Sequence, residues 1–283
     1  MSESNRKSKV KPLIYGFLSF MLGFVLFLLS ICLVLKFTFF SENFMLDSMA
    51  NTGYYEMVKD ELNDKLKDLG HASGLPDEFF DQFMKKVDII DVERKYVSAF
   101  YTGESTLVDT DSFKQQMLDS VNDYIEKNNI DKEKADEKNI LYFVEEASSV
   151  YVKTVTVSFF SVLANYINKL QGPLTMALLG LAAAALVIAA IIFFTNSYKH
   201  RRYRYLTYGL GAGFLSVLVV PIVVFSSGII PKVNIATRSL YNLFVGYFNS
   251  MFMYFWVLAA ILLFLTVLGF IMYRQKYLKA INS

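Results

Sequence analysis

Disulfide chemistry is closed to this chain, because its 283 residues contain one cysteine, Cys32. Any domain outside a reducing compartment must therefore rest on its own apolar core. Histidine is almost as scarce. His71 and His200 are the only two, and neither belongs to an HExxH pair, so the usual zinc patterns are excluded. The acidic stretches "DTDSF" and "DKEKADE" lack the ligand spacing and the glycine of an EF-hand loop. No P-loop and no Gly-rich dinucleotide fingerprint occurs. Ser73 lies two residues from His71, but "HASG" reads as a loop that ends a helix. No catalytic, cofactor-binding or metal-ligating residue is assigned, and the chain is expected not to be an enzyme.

Negative charge is missing from almost half of the chain. No Asp or Glu follows Glu146, and 25 of the 26 fall within residues 41–171. That stretch carries 14 Lys+Arg, for a net charge of −11, while the whole chain is +2. An acidic middle between basic flanks calls for a physical cause.

Uncharged apolar runs supply it. Hydrophobic residues make up 54% of the chain and the mean hydropathy is +0.36. Four segments, 13–35, 173–195, 206–230 and 252–273, contain no charged side chain. A helix needs about 20 apolar residues to cross a hydrocarbon core of ~30 Å, so all four read as transmembrane helices. The first follows the basic lead "RKSKVKP". It is too long for a cleaved signal peptide's h-region and no small-x-small site follows it, so it reads as an uncleaved signal anchor.

Orientation follows from the short basic segments. These are the N-terminus 1–12, the turn 196–205 with Lys199, Arg201, Arg202 and Arg204, and the tail 274–283 with Arg274, Lys276 and Lys279. In a four-span topology they share one side, and the positive-inside rule makes that side cytoplasmic. The expectation is N-in and C-in in a plasma membrane, with residues 41–171 outside. "YKHRRYRY" (198–205) then anchors to anionic headgroups of the bilayer. The connector is too short to present a nucleic-acid surface, and no nucleic-acid partner is expected.

Residues 36–172 form the expected extracytoplasmic domain, and its pattern is helical. Tyr55, Val58, Leu62, Leu66 and Leu69 recur at helical spacing, in a helix that could run on from the first span. Gly70 and Gly74 end it, and Pro76, Asp77 and Glu78 open the next. Further faces are Phe79, Phe80, Phe83, Met84 and Val87; then Val92, Tyr96, Val97 and Phe100; then Phe113, Met117, Val121, Tyr124 and Ile125, with Asp111 as the cap. The segment 150–160 alternates like a strand, yet Val155, Phe159 and Val162 continue the helical period. The fold class is thus an all-α integral membrane protein, four transmembrane helices with a helical domain between the first and second. The connection 231–251 reads either as a helix lying in the interface, with Lys232 and Arg238 toward headgroups, or as a plain connector.

Gly180, Gly209 and Gly213 are expected to let helices pack closely in the membrane. A large loop between spans one and two resembles the claudin-like outline. Their Trp-Gly-Leu-Trp motif and cysteine pair are absent, since the single Trp is Trp256 and the single Cys is Cys32, so that resemblance is rejected and the motifs of no known family are recognised. The function expected is that of a non-enzymatic interaction, sensing or assembly subunit of a bacterial-type envelope. Its partner would be an envelope protein or a second copy of the chain. The alternative is a small permease or channel component, with Pro221 and the glycines marking broken helices; ionisable groups, the usual mark of an ion path, are missing from all four spans.

Overall fold

In a computed structural model the protein is described over residues 3–104, 108–130, 137–156, 158–235 and 237–281, with side chains except at 3–10 and 158–165. The side chains of Arg6, Lys7 and Lys9 and the segment 131–136 lie outside the described residues. Among the described residues the chain is α-helical throughout, with one 3-10 turn at Ile230–Lys232 and no strand. It divides into two compact units. Unit 1 comprises Met1–Ser41, Leu170–Val233 and Tyr247–Ser283; unit 2 comprises Glu42–Lys169 and Asn234–Gly246.

Unit 1 draws on α1 (Glu3–Phe37), α8 (Ser158–Thr195), α9 (Lys199–Ser227) and α10 (Arg238–Ile281). Four helical stretches are long and apolar enough to cross a membrane: Lys11–Phe37, Tyr166–Thr195, Lys199–Lys232 and Arg238–Ile281. Their surfaces suit hydrocarbon. Met176, Leu179, Leu186 and Phe194 of α8 are each at least 69% exposed, and in water such a strip would be a liability.

Continuity is the main departure from the sequence reading. Residues 231–251 do not form a separate interfacial helix, because α10 runs unbroken for 44 residues from Arg238. At 1.5 Å per residue that is ~66 Å, about twice a hydrocarbon core. Its first turns, up to Gly246, belong to unit 2. The helix of Tyr55 is likewise no extension of the first span. After Phe37 come a turn and α2 (Glu42–Asn51), and Gly53, at φ 66°, reverses the chain before α3 (Tyr54–His71). Only glycine takes that conformation at little cost.

Unit 2 adds α4 (Asp77–Phe83), α5 (Ile89–Thr102), α6 (Thr110–Lys127) and α7 (Glu137–Val155). The alternating segment continues as helix to Val155 and again from Ser158, with Val157 outside the described residues. Apolar positions at helical spacing bury one stripe of each helix. On α3 the stripe is Tyr54, Tyr55, Val58, Leu62 and Leu66. Phe80, Phe83, Phe100 and Met117 are also buried. Phe113 stacks on Tyr151 at 4.2 Å and meets Phe83 edge-on at 5.5 Å. Burying one such side chain contributes roughly 1.5–3 kcal/mol, so these rings dominate the core. The cap of α6 is Asp109, not Asp111. The Asp109 carboxylate accepts from the backbone N–H groups of Asp111 at 3.0 Å and Ser112 at 3.3 Å. The helix starts two residues earlier than the sequence reading placed it.

Candidate functional site

Helix packing in unit 1 is organised by glycine at one crossing. Among the described residues, α1 and α9 make an extensive helix–helix contact. A Cβ on Gly209 would stand 2.8 Å from Leu22 Cδ2, and one on Gly213 would stand 3.1 Å from Leu26 Cβ. The facing residue is Gly23, where a Cβ would stand 2.7 Å from Ala212 Cβ and 3.1 Å from the Gly209 carbonyl oxygen. The sequence reading named two of these three glycines. It passed over Gly23, a lone glycine in a run of large apolar residues. At Gly180 a Cβ would meet nothing within 4 Å. Small size permits close approach only where a neighbour is present. Pro221 is buried within α9, which continues through it as helix.

Basic side chains gather at one end of this bundle. The Tyr15 hydroxyl on α1 donates to the Thr195 carbonyl at the end of α8, at 2.9 Å. Ser19 donates to the Tyr205 carbonyl on α9 at 2.8 Å, and Tyr15 and Tyr205 rings lie 5.3 Å apart. His200 faces Tyr277 of α10 at 5.8 Å. The start of α1, the α8–α9 connection and the end of α10 therefore meet, bringing with them Lys11, Lys199, Arg201, Arg202, Arg204, Arg274, Lys276 and Lys279. Most of "YKHRRYRY" is helix, because α9 begins at Lys199 and leaves only residues 196–198 as connector.

Arginine geometry at this end is specific. Arg202 Nε donates to the Asn196 carbonyl at 2.8 Å, closing the connector, while its guanidinium lies 5.4 Å from the Phe193 ring centre. Arg201 covers Tyr198 at 4.8 Å and Arg204 covers Tyr205 at 4.9 Å. Arg204 Nη2 donates to the Tyr205 hydroxyl at 3.0 Å, and its buried Nε has no hydrogen-bond partner. The sequence of unit 1 holds a single carboxylate, Glu3. Cations without counter-charge, flanked by aromatic rings, can hold phosphate groups.

Unit 2 contains a second feature that sequence reasoning missed. The buried face of α5 includes Tyr96, Val97 and Phe100 as expected, together with Ile89 and Glu93, while Val92 is half-buried. Glu93 is 0% exposed, and neither carboxylate oxygen has a hydrogen-bond partner. Burial pushes its carboxyl up to about 8, because an ionised group is far more costly in a dry interior than a neutral one. The spacing held a signal: Glu93 is four residues after Ile89 and four before Val97, a core position on an otherwise apolar stripe.

The histidine and the cleft charges of unit 2 have ordinary partners. His71 Nε2 lies 3.0 Å from Asp77 Oδ1, both more than half exposed, a loop contact open to water. A cleft of about 480 Å³ runs beside α5 and α6, with Lys86, Asp88, Lys95 and Asp109 on its walls. Asp88 and Asp109 there cap the helices α5 and α6, and Asp91 pairs with Lys95 at 2.7 Å. These charges are accounted for by folding.

The fold and its surfaces define the class: an all-helical protein with four helices long and apolar enough to span a membrane. Compared with known protein families, with characterised proteins and with solved structures, the chain matches none.

Proposed function

We propose that the chain is a non-enzymatic multi-pass membrane protein of the cell envelope, an interaction, sensing or assembly subunit that works through unit 2. The carrying observation is that unit 2 closes a core of its own and takes into it the first turns of α10. Ser239 N–H donates to Glu61 Oε1 at 3.0 Å, Asn242 Nδ2 lies 3.2 Å from Met57 Sδ, and a Cβ on Gly246 would stand 2.3 Å from the Thr52 methyl. A domain built in this way is held by several membrane helices and presents an acidic surface. A partner for that surface is basic, or bridged by divalent cations, since charge complementarity steers encounter. The basic end of unit 1 anchors in cytoplasmic headgroups under the positive-inside rule, which leaves unit 2 outside. The permease reading draws less support, because α9 continues through Pro221 and Gly213 is occupied in packing against Leu26.

Two experiments on the full chain test this. In a Cys32→Ser background, a cysteine at Asn122 should react with an impermeant maleimide in intact cells and one at Ser197 should not. The reverse pattern would sink the orientation. Photo-crosslinking residues placed at Asp68 and Glu78 in unit 2 should capture a discrete partner, either a second protein or a second copy. Crosslinks confined to a position such as Leu186 on α8 would overturn the role given to unit 2.

A further inference from the structure

Glu93 has a place in the fold that links it to the start of the last long helix. Three helices, α2, α3 and α7, pack on α5. Glu93 acts electrostatically on Tyr54 and Tyr55 of α3 and on Tyr151 of α7. All three are neutral acids at physiological pH; burial raises Tyr54 well above its ordinary value and Tyr151 to about 12. α2 buries Met45, Ser48 and Met49, and its Asp47 acts on Tyr55. On α5 itself, Tyr96 is buried beside Glu93, while Arg94 is exposed and acts on Tyr55. No cation on any of these helices is hydrogen-bonded to the Glu93 carboxyl. The acid is thus packed for its neutral form.

α3 has a second duty. Its Glu61 accepts from Ser239 N–H, satisfying a donor in the first turn of α10 that has no partner within the helix. Glu93 and Glu61 both act electrostatically on the buried Tyr54 of α3. Ser239 is itself 2% exposed, so this cap is no surface contact.

We propose that Glu93 and α3 form a pH-responsive latch: protonated Glu93 lets α5 close on α3 and holds Glu61 at the first turn of α10, and loss of that proton to water frees both. On deprotonation the carboxylate needs hydration, which the closed core cannot supply. α5 then separates from α3, and the α3 surface that caps α10 loosens with it. The sign follows from linkage. An acid whose pKa is raised by folding, here from 4.5 to about 8, favours the closed state fully below about pH 4.5. That advantage is lost as pH rises and is gone above about 8, a tenfold change per unit within the window. Opening on mild alkalinisation is the direction, and closure in acid is its reverse. The latch is read on unit 2 alone, and its test needs no partner.

The test is hydrogen exchange on the full-length protein in lipid nanodiscs at pH 5.5 and 8.5, with rates corrected for intrinsic chemistry. In the wild type, amides of α5 and of residues 238–246 should lose protection at the higher pH, by tenfold or more, while those of the α1–α9 crossing should not. Glu93→Gln keeps the shape and cannot ionise, so its protection should be equal at both values. Glu93→Met should behave likewise, and serves if the glutamine variant misfolds. Glu61→Ala removes the acceptor for Ser239 N–H, and should loosen 238–246 at both pH values and leave the response of α5 intact. Wild-type protection that does not change with pH would overturn the proposal. So would a response that persists in both Glu93 variants, or one in which α5 opens and residues 238–246 do not.

Discussion

Replacing Gly23 by alanine tests whether the α1–α9 crossing holds the spans together. The new Cβ would stand 2.7 Å from Ala212 Cβ, 3.1 Å from the Gly209 oxygen and 3.1 Å from the Gly213 nitrogen. Carbon pairs rest at about 3.5–4.0 Å, so the helices must separate by roughly 1 Å at that point. Two of the three obstacles are backbone atoms and the third is a Cβ, none of which can rotate away. A radial gap of 0.5–1 Å forfeits about a quarter to a half of each contact, and overpacking of this kind costs about 1–3 kcal/mol. Opposing it is the better helix propensity of alanine, up to about 1 kcal/mol. With the full propensity gain subtracted, the clash leaves a net loss of up to about 2 kcal/mol. At roughly 2–4 °C per kcal/mol for a chain of this size, the melting temperature in detergent should fall by several degrees. Gly209→Ala should cost less, because its nearest obstacle is the movable tip of Leu22 at 2.8 Å. Gly180→Ala is the matched control: with nothing within 4 Å it gains the propensity without the clash, and should be as stable as wild type or up to about 1 kcal/mol more stable. Thermal melting followed by size-exclusion chromatography reads all three. Equal melting temperatures for Gly23→Ala and Gly180→Ala would refute the reasoning.

Two further outcomes concern unit 2. Gly70→Ala would drive a Cβ to 2.2 Å from the fully buried Phe80 ring; thermal melting should show a loss of about 1–3 kcal/mol, partly restored by adding Phe80→Leu. Asp109→Ala removes the cap of α6 and should cost about 1 kcal/mol, whereas Asp111→Ala should cost clearly less, and an equal loss at both positions would refute the assignment of the cap.

Length and the absence of charge are local properties, so the four apolar runs could be read directly from the sequence. Helical period is local too, which is why Val58, Leu62 and Leu66 were placed on one buried face before any neighbour was known. The acidic middle and basic ends were equally plain. Tertiary structure decided what those local patterns left open. Periodicity fixes the angle between side chains but not which sector turns inward, and on α5 a shift of one residue exchanges Val92 for Glu93 in the core. Glycine permits close approach wherever it occurs, but Gly23 meets another helix and Gly180 meets none, a matter of neighbours and not of composition. The polar break around residue 251 read as an element boundary, yet α10 passes through it, because Glu61, Met57 and Thr52, close to 180 residues or more earlier in the chain, supply the contacts that its first turns could not find locally.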